Sequence, residues 1–343
     1  MQSPGTKNIS KKPKSGFLRL FFLDQKHFSK TKELILDNAK ADFDYIIRIV
    51  FAVIVISLGM LIDSTAVVIG GMLIAPLFWP IFGFAIGIVE GKSKVVTKSF
   101  FTLLKSLLIV VGIAIVIGLI APAHILESQE FVSQTTPTLF DLLIGLASGF
   151  LGAFIVSHPK ISSSFAGVVI AAAIVPPLAA VGIALAKGDI DSFGKALLLS
   201  LASLIAITFS ASVLFYISHV KTKGFKQIFK TYKASIVWFA VLLIIVIIPL
   251  ILFTNQIIKH TRQERVITEV VTSKLVDTTL DTVVLTERND ILTVKVTVHS
   301  KDEITDSEIQ DIAHALSKEL EESIVLHVNT IPVIQKTEVV NYE

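Results

Sequence analysis

Cysteine is absent from this sequence, so disulfides, thiolate metal sites and cysteine nucleophiles are excluded. Charge is scarce as well. Asp, Glu, Lys and Arg make up 17% of the 343 residues, where a soluble domain carries about a quarter. The sequence has no HExxH zinc motif, no GxSxG nucleophile elbow and no phosphate-cradling glycine loop with its lysine. No ionisable pair falls in the middle of an apolar run, which argues against a proton relay. Neither an enzyme, a cofactor, a metal nor a nucleotide-driven pump is expected.

What is there instead is hydrocarbon. Hydrophobic residues make 52% of the chain and the mean hydropathy is +0.74. Seven apolar runs cover 45–62, 66–89, 100–121, 139–156, 165–186, 193–216 and 235–257. A helix of about eighteen residues or more crosses roughly 30 Å of hydrocarbon. Two of the runs are interrupted by proline, the second at Pro76 and Pro80 and the fifth at Pro176 and Pro177. The first run begins about 45 residues in, behind a basic segment, so it is expected to stay as a span rather than be cleaved.

Lysine and arginine orient the set. Alternate loops, starting with the leader, hold eighteen of them; the others hold one, Lys187. The expected topology therefore has the N-terminus in the cytoplasm of a cell-membrane protein and the C-terminal domain outside. A re-entrant proline-broken run would reverse the last assignment. Arg48 and Lys105 lie near the inner ends of their runs and can snorkel. Asp141 opens the fourth run, where a carboxylate suits a helix N-terminus.

Ala66 to Leu77 reads AVVIGGMLIAPL and Gly167 to Leu178 reads GVVIAAAIVPPL, with identities that include Pro76/Pro177 and Leu77/Leu178. Each segment lies in the middle run of a three-run group. Three is odd, so the halves 45–121 and 139–216 enter the membrane in opposite senses, as an inverted repeat with a broken helix in each half. The plainer alternative is that the prolines only kink their helices. Gly83, Gly87 and Gly91, and Gly145, Gly149 and Ala153, recur every four residues and allow close helix approach. They fit packing inside one chain or between subunits, and a homo-oligomer is expected.

The ends differ in character. Residues 1–44 form a basic leader. Its FLRLFFL segment at 17–23 suits either an anionic inner leaflet or a small cytoplasmic cap, and a helix is expected over Ser29 to Asp44. Residues 235–257 form an extra span. Residues 258–343 carry nine Lys/Arg against sixteen Asp/Glu, an acidic balance that argues against nucleic acid or anionic lipid as a partner of this domain. The patterning there predicts a helix to Leu275, a hairpin of Thr282–Glu287 and Ile291–His299 around Asn289-Asp290, and a helix over Thr305–Glu322 capped by Thr305 or Asp306. Strands are expected at Ile324–Val328 and Ile331–Val340. His299 and His327 lie on strands and are possible neighbours, without a third metal ligand.

The motifs GMLIDSTAVVIGGMLIAPLFWPIFG at 59–83, DLLIGLASGFLGA at 141–153 and FAGVVIAAAIVPPLAAVGIALAKGD at 165–189 resemble a bacterial and archaeal family known as domain of unknown function 389. The resemblance implies a membrane architecture over roughly 45–216 and no particular activity. This chain departs from it at Asp63 and near Ser203, where the family usually has Asn.

The expected fold class is an all-α polytopic membrane protein of six to seven spans, arranged as an inverted three-plus-three repeat with proline-broken helices, followed by a small α+β C-terminal domain. The leading function is a transporter or channel-like permeation protein for a small solute or ion. Pro76, Leu77, Pro80, Pro176 and Pro177 would form its backbone frame, and Asp63, Ser64, Thr65 and Ser203 its polar contacts. A membrane scaffold or sensor, with the outer domain binding a ligand or partner, is the alternative.

Overall fold

A computed structural model of the chain describes residues 25–158, 164–223, 225–275, 278–288, 291–300, 304–320 and 322–332. The FLRLFFL segment, the Asn289-Asp290 turn and residues 333–340 lie outside them. The helices are α1 (Gln25–Asn38), α2 (Phe43–Leu61), α3 (Thr65–Met72), α4 (Phe78–Glu90), α5 (Ser93–Ile120), α6 (Gln129–Gln134), α7 (Leu139–Ser157), α8 (Ser164–Lys187), α9 (Ile190–Lys223) and α10 (Phe225–Lys274). A single 3₁₀ turn, Ala123–Glu127, precedes α6. Contacts divide the chain into two compact units, 1–253 and 254–343.

Among the described residues, six helices are long and apolar enough to cross a membrane: α2, α5, α7, α8, α9 and α10. The second apolar run is the exception, split into α3 and α4 around residues 73–77. At 1.5 Å per residue α3 is about 12 Å long and α4 about 20 Å, so neither spans hydrocarbon alone but the two together do. Contacts at the helix ends show where the run leads. Asp63 follows α2 at its far end, whereas Glu90 at the end of α4 pairs with Lys32 of α1, which precedes α2, at 2.6 Å. The run therefore returns from the far end of α2 to its near end. Lys187, closing α8, donates to the carbonyl of Ala121 just past α5, so α5 and α8 finish on the same far side.

Local chemistry explains the first break. Pro76 cannot donate to the carbonyl four residues back and disfavours helical geometry at Ala75, so α3 stops. Pro80 sits in the first turn of α4, where a missing N–H is harmless. The second expected break does not form. Pro176 and Pro177 lie inside a continuous α8. Adjacent prolines disturb a single turn, and Ile174, Val175, Leu178, Ala179 and Ala180 around them are all buried and held by packing on both flanks.

The glycine ladders serve packing within the chain. A Cβ on Gly87 would fall 2.9 Å from the Val96 amide of α5, and one on Gly145 would fall 3.1 Å from Ala206 Cβ of α9. The third helix of each half packs on the middle run of the other, α5 on α8 and α9 on α4. Near the inner ends, the Tyr45 hydroxyl of α2 meets Ser106 Oγ of α5 at 2.9 Å, a buried polar link between two apolar helices.

In the second unit, strands β1 (Thr279–Arg288), β2 (Ile291–Ser300) and β3 (Ser323–Pro332) form a sheet in that order, antiparallel then parallel. Helix α11 (Asp306–Leu320) connects β2 to β3. Leu292, Val294, Val296 and Val298 alternate along β2 and bury one face against Ile312 and Leu316 of α11 and Ile267 and Val271 of α10. Thr305, not Asp306, caps α11. Its amide and hydroxyl donate to Glu308 Oε2 at 2.9 and 2.8 Å, and they hold that carboxyl below its ordinary value. His299 and His327 are not neighbours. His327 pairs with Lys295 and His299 with Ile331, so the two stand four residues apart, about 13 Å along the sheet. The described residues contain no cluster of three metal-ligating side chains.

Candidate functional site

The expected site residues fall into three places. Asp63, Ser64 and Thr65 form the turn between α2 and α3 at the far end of the bundle. Asp63 adopts φ +52°, a left-handed conformation that Asp and Asn tolerate better than other side chains. Its Oδ1 accepts the amide of Glu130 at 2.9 Å, and the Thr65 hydroxyl donates to the Glu130 carboxylate. Ser64 caps α3 by its backbone alone. The Asp63–Thr65 turn thus fastens the first turn of α6. Asn at position 63 supplies the same backbone conformation and the same acceptor oxygen, so the departure at Asp63 preserves this role.

Pro76, Leu77 and Pro80 are buried in a packed break. Phe78 lies against Trp79 and Phe82 at ring separations of 4.3 and 5.9 Å, and Phe82 meets Phe215 of α9 edge-on at 5.6 Å. On α8, Gly167 is small because the Phe78 ring occupies the place of its Cβ. Aromatic rings fill the space that the helix break opens.

Pro177 and Ser203 do come together. They line a cavity of about 280 Å³ with Ser133 and Gln134 of α6, Asp141 and Ile144 of α7, Ala172 and Ala173 of α8, and Leu199 of α9. Pro177 lies ten residues from the far end of α8, and Ser203 thirteen residues from the far end of α9. The lining therefore includes residues about 15–20 Å along α8 and α9 from their far ends. Pro176 is not among its lining residues, but it acts on them. Prolines at 176 and 177 leave the carbonyls of Ala172 and Ala173 without their helical donors, and both alanines face this space. Asp141 closes a capping box with Thr138, whose amide and hydroxyl meet its Oδ2 at 2.8 and 2.7 Å.

Ser203 differs from its neighbours on α9. Ser200, Thr208 and Ser212 each donate to a carbonyl four residues back at 2.7–2.8 Å. Ser203 is 1% exposed and makes no hydrogen bond among the described residues, so its hydroxyl is left for the cavity. Sequence reasoning missed Ser133, Gln134 and the two alanines. The alanines were legible by counting four residues back from each proline. Helix α6 carried no signal in a loop read only as polar and uncharged by lysine.

The hold on α6 is testable. Asp63→Ala is expected to speed amide exchange over residues 129–134 by roughly tenfold, the effect of losing a hydrogen bond to a charged group at about 1.4 kcal/mol. Exchange in α2 and α5 should not change. An unchanged rate over 129–134 would mean that the turn does not restrain α6.

Two further cavities flank the bundle. One of about 150 Å³ lies between α5, α8 and α9 and is lined by leucines, Val111, Val181, Ile174 and Ser200; Leu108 and Leu201 open it to the lipid side. Another of about 290 Å³ at the inner ends of α1 and α5 includes Lys40, Lys94 and Lys98.

Six continuous spans, a broken run beside them and a polar cavity among them define a multi-pass membrane protein. Residues 72–209, which include every residue lining that cavity, match the family model described as "Domain of unknown function (DUF389)", and the resemblance carried by the sequence motifs holds. The chain is also similar to an uncharacterised protein of Methanocaldococcus jannaschii, 31% identical over 179 residues, which is 52% of this chain and 55% of that protein. The chain thus spans about half the length of the curated relative it matches.

Proposed function

We propose that this protein passes a small solute across the membrane, as a transporter or channel-like permeation protein. The observation that carries this reading is the cavity under α6, where Asp141, Ser203, Ser133 and Gln134 gather polar groups in space lined by residues about 15–20 Å along α8 and α9. Polar side chains at such depth are costly and face a bundle interior or a wet pathway. Helix α6 lies over the outer end, tied by Asp63 and Thr65, and is the element suited to gate it.

The inverted repeat supports the same reading. Helix α2 runs toward the far side and its counterpart α7 away from it, and α5 on α8 mirrors α9 on α4. The repeated prolines then act differently in the two halves. One breaks its run and is sealed by aromatic rings; the other pair frees carbonyls beside the cavity. With the lysine-rich ends in the cytoplasm, the cavity opens to the outside and the chain leaves its last span there. The bilayer and a small solute are the partners this reading needs. It needs no homo-oligomer, because the glycine ladders pack within the chain.

Reconstituted vesicles test it. Solute-driven swelling is expected to exceed that of protein-free vesicles for at least one small solute, and Ala172→Trp, which fills the cavity, to abolish the excess. Vesicles no more permeable than protein-free ones to every solute would sink the proposal. The second unit, compact with its own core, favours a sensor role as the other reading. Full flux from a chain lacking residues 259–343 would assign transport to the spans alone.

A further inference from the structure

We infer that the cavity under α6 binds a small monovalent cation, either an alkali metal ion or a protonated amine. The inference rests on the reading of that cavity as the solute site and names the chemical class of its occupant.

The argument is an account of hydrogen-bonding capacity. Around the cavity most of the donors are already used. The Ser133 hydroxyl donates to the Glu130 carbonyl at 2.9 Å, and Gln134 Nε2 donates to Ser133 Oγ at 2.9 Å. That bond uses one of the two Nε2 donors of Gln134 and leaves the other together with its carbonyl oxygen. Asp141 spends Oδ2 on Thr138 and keeps Oδ1. Pro176 and Pro177 withhold donors from the carbonyls of Ala172 and Ala173. Ser203, buried and without a hydrogen-bond partner among the described residues, can turn its proton to the Leu199 carbonyl one turn back and present its lone pairs. The unused capacity is mostly acceptor.

No Lys, Arg or His is among the residues lining the cavity. An anion would therefore meet a carboxylate and no cationic partner. A neutral polyol would find acceptors for its hydroxyls but few donors for its oxygens. A hard cation takes carboxylate, carbonyl, hydroxyl and water oxygens together, and backbone carbonyls of interrupted membrane helices serve that purpose. One carboxylate among neutral oxygens balances one positive charge. At about 280 Å³ the space holds such an ion with part of its water shell, or a small alkylammonium.

The test is thermal unfolding of the full chain in lipid nanodiscs at constant ionic strength, with Na⁺, K⁺, ammonium or methylammonium replacing bulky N-methylglucammonium. At least one small cation is expected to raise the melting temperature saturably, and the arms separate metal ion from amine. Asp141→Asn keeps an acceptor for Thr138 but removes the charge, and it should weaken the apparent affinity by roughly tenfold or more. Ser203→Ala should weaken it by about threefold. Thr138→Ala breaks the same capping box but keeps the carboxylate, and it should retain the cation effect while lowering the baseline stability. Indifference of the wild type to all four cations, or an Asp141→Asn response equal to wild type, would overturn the inference. Vesicle flux distinguishes the two readings. Flux without cation stabilisation removes only the cation assignment. Saturable cation stabilisation without flux removes permeation and leaves the site standing.

Discussion

Replacing Gly182 with alanine is expected to destabilise the protein by about 1–3 kcal/mol, whereas the same change at Gly112 is expected to be neutral or stabilising by up to about 1 kcal/mol. The two glycines differ only in what faces them. Gly182 of α8 lies against the backbone of α5, where an added Cβ would stand 2.6 Å from the Val111 carbonyl and 3.0 Å from the Ile115 amide. Neither is the tip of a flexible side chain, so the helices must separate. Gly118 of α5 repeats the arrangement in return, its Cβ position 3.0 Å from Ile183 Cα of α8. Gly112 has nothing within 4 Å, and alanine there brings only its better helix propensity. Melting of the two variants in the same detergent reads the contrast. Equal shifts would mean that α5 and α8 do not approach this closely.

The second large effect concerns water. The natural absence of cysteine makes single-cysteine labelling direct. A cysteine at Ala172, exposed and facing the cavity, is expected to react with a small charged membrane-impermeant thiol reagent added from outside. Cysteines at Phe78 and Ala179 are expected to react at least about a hundredfold more slowly, because both positions are closed by packing. The repeat alone would have made Phe78 and Ala179 the places to look, since each directly follows the repeated Pro-Leu. The packed aromatic cluster excludes the first, and the continuous α8 buries the second. A silent Ala172 position would show the cavity to be filled by hydrocarbon rather than water, and permeation would lose its main support. Rapid labelling at Phe78 would show instead that the break in the second run opens.

Much of the fold was readable because membranes impose long, local rules. Each of the seven apolar runs corresponds to a helix or, for 66–89, to two, with ends displaced by a few residues; the last extends as one helix through Lys274. The small second unit followed from period-two alternation in Ile291–His299 and the Thr305–Glu308 cap. The prolines were harder. Their spacing told where helices weaken but not whether they break, because that depends on what packs around the weakened turn. Pro76 and Pro80, four apart, end one helix and begin the next. Pro176 and Pro177, adjacent and packed among buried aliphatic residues, leave theirs continuous.

The candidate site was legible in part for the same reason. Pro177 and Ser203 were identified and do meet. Asp63 and Thr65 also bind Glu130, which lies 67 and 65 residues away in sequence, and no local pattern reports that contact. Asp141 was read as a helix cap, which it is. That it also borders a cavity depends on helices from three other parts of the chain.

By itself the sequence determined the class of protein, the number and order of its apolar runs and the strand pattern of its second unit. Each of these follows from hydrophobicity, charge or periodicity within a few turns of chain. The tertiary structure decided which proline run breaks, which polar turn fastens α6 and which oxygens share one space. Those are outcomes of contact between residues distant in sequence, where burial and unspent hydrogen-bonding capacity, rather than local preference, set the result.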